Sequence, residues 1–152
     1  FKDDESIYIE NKKDIKTSFR AQILILHYLN NSDGEPHAGE WITYRQLKTG
    51  PFYYPAFKKR SIEILEKSFN NSPDKLKSSA LTYDAERAEF GDMGFVFQVL
   101  PRVPVALAFW KGDREFAPEI NLLFDSSITH YLPLEDITVV CQELALKLVQ
   151  KE

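Results

Sequence analysis

An unbroken apolar run from Val103 to Trp110 (VPVALAFW) limits this chain more than any other stretch, set between Pro101 and Pro104 on one side and Lys111-Gly112-Asp113 on the other. Its apolar residues are continuous rather than alternating, and Val103, Val105, Phe109 and Trp110 are β-branched or aromatic, so it reads as a strand covered on both faces. Pro104 cannot donate to a ladder and belongs at the strand's first residues or on an edge. Met93 to Leu100 alternates ahead of it, and Pro101-Arg102 is too short a joint for a helical crossover. Ile120 to Asp125 is a second apolar run beyond the Gly112-Asp113 turn. The three segments predict an antiparallel meander over about 93–124.

Helices are expected around this sheet. Phe19, Ile23, Leu26 and Leu29 recur at helical spacing, which predicts a helix over Ala21 to Leu29 with Thr17 or Ser18 as N-cap. His27 falls on or near its apolar face and reads as a core or boundary residue. Ile62, Leu65 and Phe69 mark a second helix running from Lys58, and Ser72-Pro73 opens a third that ends near Ala80. After Pro133, Glu135 and Asp136 in the first turn and Lys147 near the end suit a helix dipole, with Ile137, Val140, Cys141, Leu144 and Leu148 as its apolar stripe. Ser6 to Glu10 and Glu40 to Tyr44 read as short strands, and Gly34 to Gly39 as a loop. In Thr49 to Phe57 two prolines and a glycine pin four aromatics in extended backbone, either as a wall over a planar ligand or as a loop covering the sheet. The fold class is therefore α+β, with helices packed largely on one face of a mainly antiparallel sheet.

The chain's 152 residues are the size of one domain, and its start at Phe1 suggests a fragment, or the ordered part, of a longer chain. A net charge of −4 and a pI near 5.5 give no general attraction to nucleic acid. One cysteine excludes a disulfide framework or a cysteine-only iron–sulfur or zinc site within these residues. Cys141 lies on an apolar stripe with no adjacent basic residue and reads as a buried, inert thiol. No apolar run reaches the length of a membrane span, and FKDDESIYIE lacks the features of a signal peptide. A soluble protein of the reducing cytoplasm is expected.

Signatures of P-loop, dinucleotide, zinc-protease, nucleophile-elbow and kinase sites are missing. The candidate site is Asp125-Ser126-Ser127-Ile128-Thr129-His130-Tyr131, a polar break ahead of the last helix. A single helical turn there would gather hydroxyls and an imidazole. Ser126 and Ser127 can hold a carboxylate or phosphate, and His130 can act as a base with Asp125 or as a ligand to a metal or tetrapyrrole. The alternative is that Asp125 and Ser127 cap the turn and His130 bonds a carbonyl. Tyr53, Tyr54 and Trp110 are the rings that would face a planar ligand, against ordinary packing roles for each. The histidines at 27, 37 and 130 lack ligand spacing, so no metal site is expected.

The segments GEWITYRQL, FYYPAF and GDMGFVFQVLPRVPVALAFWKGDREFAPEINLLFDSSITHYLPLEDI resemble the domain-of-unknown-function family numbered 3786. The resemblance rests on the proline-flanked strand, W-x-G-D-x-E-F, L-F-D-x-S and Y-L-P-x-E-D. It implies an accessory role near corrinoid or redox metabolism, since members of the family are sometimes joined to a four-iron–four-sulfur module like that of corrinoid iron–sulfur proteins. It implies no catalytic residues, and this chain has no cysteine cluster to carry cluster binding. Three functions remain open: a noncatalytic ligand-binding or interaction module, holding a corrinoid or other planar cofactor or docking a redox partner; an enzyme using His130 with Asp125 on a small anionic substrate; and a structural docking domain.

Overall fold

A computed structural model of the chain describes residues 18–150. The expected strand at Ser6 to Glu10 lies outside them. Among the described residues, α1 (Phe19–Asn31) and β1 (Trp41–Thr43) are followed by a 3-10 turn (Tyr44–Gln46). Three helices come next, α2 (Gly50–Arg60), α3 (Ile62–Phe69) and α4 (Pro73–Thr82). The chain then forms β2 (Glu86–Ala88), β3 (Met93–Leu100), β4 (Val103–Trp110) and β5 (Glu119–Asp125), a second 3-10 turn (Ser126–His130) and α5 (Leu134–Val149). The strands make one antiparallel sheet in the order β1-β5-β4-β3-β2, so the fold is α+β around the expected meander.

β4 is the central strand and is covered on both sides, by different means. Val103, Val105, Leu107 and Phe109 alternate toward the helical layer and join its core with Ile120, Leu122 and Phe124 of β5. In that layer α5 touches each of the other four helices. Pro104, Ala106 and Ala108 point the other way, and both alanines are fully buried. Their cover comes from the sheet's two edges. Trp41 stands opposite Asp125 on β1, Phe90 follows β2, and the rings meet edge to face 5.4 Å apart. Gly94 makes the close approach of Phe90 feasible, because a Cβ there would lie 2.8 Å from the Phe90 nitrogen and 2.6 Å from the Ala88 oxygen.

Three expectations need correction. Ser18 caps α1 by accepting from the Ala21 amide, but the side chains that α1 buries are Leu24 and Tyr28. Phe19, Ile23, Leu26 and Leu29 are exposed by 77%, 37%, 52% and 65%. The helix is fastened by polar links instead, Arg20 to Glu143 and His27 to Asp136, so its apolar stripe is left facing outward. Residues 50–57 are helical rather than extended. Pro51 sits in the first turn, where no amide partner is needed, and Gly50 lets the helix begin against the Tyr44 carbonyl, 2.0 Å from where a Cβ would stand. Pro55 lies inside the helix at the loss of one bond, offset by the buried Phe57 ring stacked 4.0 Å from Tyr44. The helix expected from Lys58 is broken at Ser61, a buried residue whose hydroxyl donates to the Phe57 carbonyl at 2.7 Å.

Candidate functional site

The polar break after β5 does form a single 3-10 turn, and Asp125 is the residue that builds it. Its side chain caps the turn by accepting from the Ser127 amide at 3.0 Å and from the Ser127 hydroxyl. The same carboxylate reaches back to the amides of Ala38 and Gly39, each at 2.9 Å. It therefore ties the loop after α1 to the end of β5. Burial pushes the Asp125 carboxyl up, but these donors outweigh it and hold the group at about 2. A carboxylate so held stays ionised at any physiological pH, and at 4% exposure it is not open to a substrate.

His130 stands at the far end of the turn, and its partner is Asp33 rather than Asp125. The imidazole Nδ1 is 2.6 Å from Asp33 Oδ2, and both side chains are about half exposed. The bond to Asp33 raises the His130 pKa, and the reciprocal bond lowers that of Asp33, helped by the Glu35 amide on its other oxygen. The shared proton thus favours the imidazolium–carboxylate form of the pair. The second ring nitrogen has no hydrogen-bond partner among the described residues, and the carboxylate orients a ring whose side chain is 43% exposed. That is the arrangement in which imidazoles meet metals, a carboxylate behind and a free nitrogen in front.

The loop opposite is held at successive residues. Arg102, at the left-handed turn between β3 and β4, donates to the Gly34 carbonyl, and the Tyr131 hydroxyl donates to the Glu35 carbonyl. Tyr131 stacks on Tyr28 at 5.8 Å, and Tyr28 donates to the Pro101 carbonyl at 2.6 Å. Asp33, Glu35 and His130 thus converge, with one ligand atom from each within 4.8 Å of the others.

The remaining sequence candidates lie apart from this cluster. Ser127 serves Asp125, and Ser126 donates its amide to the Glu40 carbonyl at 2.8 Å. The aromatic wall does not assemble. Phe52 is 80% exposed beside Tyr53, and Tyr54 packs toward Tyr44 and Phe57 with the Arg45 guanidinium 4.0 Å above its ring. Trp110 closes β4 at the end opposite Arg102, about 23 Å along the strand at its usual rise. A shallow concavity of about 430 Å³ opens at that end, lined by Asn70, Phe109, Lys111, Arg114 and Phe116. His130 lines neither this hollow nor the one between α4 and the end of α5. Cys141 is fully buried, and burial pushes its thiol up, which suits packing and not nucleophilic attack.

Asp33 and Glu35 are not among the sequence candidates, Glu35 being read only as part of the Gly34 to Gly39 loop. A trace was available: Asp33-Gly34-Glu35 offers two carboxylates around a glycine that adopts a positive φ.

A family model described as a domain of unknown function (DUF3786) matches residues 2–147. No curated protein and no solved structure matches the chain.

Proposed function

The chain belongs to the domain-of-unknown-function family DUF3786, and from that premise we propose that it is a noncatalytic binding module accessory to corrinoid or redox metabolism. In this reading His130 is the group that meets the ligand. One observation carries it: an exposed imidazole backed by a carboxylate at 2.6 Å, mounted on a turn whose base is locked by Asp125. Such a ring is suited to ligate the metal of a corrinoid or another tetrapyrrole from its open side. The acid–base alternative has less support, because Asp125 is buried and held at about 2, and His130 pairs with Asp33 instead.

Aquocobalamin and haemin, titrated separately against the purified chain, test this reading. Ligation by His130 shifts the visible absorbance of one of them and raises Tm, and His130→Ala removes both changes. No shift with either compound, or one that survives His130→Ala, would end it.

The outward apolar stripe of α1 favours a second reading, docking of a redox partner protein. Its residues lead along the helix toward Asp33. A partner bound there loses affinity when Leu26 and Leu29 become Gln, whereas unchanged affinity removes the stripe from the interface.

A further inference from the structure

We propose that Asp33, Glu35 and His130 form a binding site for a divalent transition-metal ion of the zinc, cobalt or manganese kind. The ground is geometric, since one ligand atom from each of the three side chains already lies within 4.8 Å of the other two. Ligands about 2.1 Å from a shared ion stand roughly 3 to 4 Å from one another, so small side-chain rotations close the set. The donors come from two distant segments, His130 being 97 residues from Asp33 in the chain. Their meeting is a product of the fold and not of a local run of acids.

The backbone beneath the carboxylates is already fixed. The Gly34 carbonyl is taken by Arg102 and the Glu35 carbonyl by Tyr131, while Asp33 Oδ1 accepts from the Glu35 amide at 3.0 Å. That leaves Asp33 Oδ2 turned toward the imidazole. One nitrogen and two carboxylates suit the borderline ions zinc and cobalt and also the harder manganese, whereas magnesium and calcium prefer oxygen alone. On binding, the proton shared by His130 and Asp33 leaves to solvent, and the freed nitrogen takes the ion. Arg102 is the neighbouring cation that opposes the ion's charge, and the two carboxylates outweigh it. Three protein ligands leave coordination positions open toward solvent, where water or a group from a bound partner completes the shell.

This inference shares His130 with the proposed function but needs no corrinoid, and it adds Glu35, which that reading does not use. The test is calorimetric titration of the tag-free, chelator-treated chain with zinc and cobalt chlorides, following cobalt also by its visible absorbance. One equivalent of each is expected to bind, with magnesium unable to compete at equal concentration. His130→Ala and Glu35→Gln should each weaken binding by at least about tenfold. The proposal is overturned if the wild-type chain binds neither ion below millimolar concentration, or if either variant binds as the wild type does. Glu35→Gln also separates the two ideas. A variant that loses cobalt affinity yet keeps a cobalamin response supports the metal site, and a variant that keeps full cobalt affinity excludes Glu35 and overturns it, whatever cobalamin does.

Discussion

Asp125 and His130 stand five residues apart and take different parts. Asp125 is structural, and its pH signature follows from its depressed pKa. Its stabilisation is present above the ordinary carboxylate value of 3.8 and is lost as pH falls toward about 2. The shift corresponds to about 2 kcal/mol. Asp125→Asn should therefore lower stability by about 2–3 kcal/mol at pH 7, leaving buried donors short of an acceptor, and the deficit should shrink toward pH 2. Urea unfolding across that range measures it. The Asp33–His130 pair has a window closed at both ends. The raised His130 contribution is complete below its ordinary 6.5 and fades as pH rises through the higher folded value, while the lowered Asp33 contribution fades as pH falls below 3.8. Asp33→Asn should consequently cost most near pH 5 and little near pH 9, as read from Tm against pH.

At the scale of elements, regular strands were far easier to read than helices with mixed signals. The meander followed from contiguous β-branched and aromatic runs bounded by Pro and Gly, and each strand of it lies where expected. α2 misled because proline normally breaks helices, whereas here one proline occupies the first turn and the other is overridden by burial of Phe57. Pro55→Ala should restore the missing bond and stabilise the chain by about 1 kcal/mol, the gain being reduced by the freer unfolded chain. A rise in Tm would bear this out, and a fall would mean that the ring itself packs. In α1 periodicity located an apolar face correctly but not its surroundings, since a stripe reads alike whether covered or bare. Replacing Leu26 and Leu29 together by Gln should change unfolding free energy by less than about 0.5 kcal/mol per residue, as for solvent-facing positions. A substantially larger loss would show that these side chains are covered.

For the molecule as a whole, β4 is the scaffold that spaces the functional features. Helices cover one face of it and the Trp41 and Phe90 rings reach over the other. Leu107→Ala at its fully buried centre should cost about 3 kcal/mol in urea unfolding. The half of the site on the turn after β5 was visible as a cluster of hydroxyls and an imidazole. Its other half was not, because Asp33 and Glu35 come near His130 only once α1 has docked and Arg102 and Tyr131 have fixed the loop. Long-range pairing of this kind leaves no spacing in a sequence. Both ligand sites proposed at His130 depend on Asp33 holding its ring, and NMR titration of the imidazole nitrogens measures that contact directly. The His130 midpoint should lie above 6.5 and move down in Asp33→Asn; a midpoint at or below 6.5 that ignores the substitution would contradict the contact.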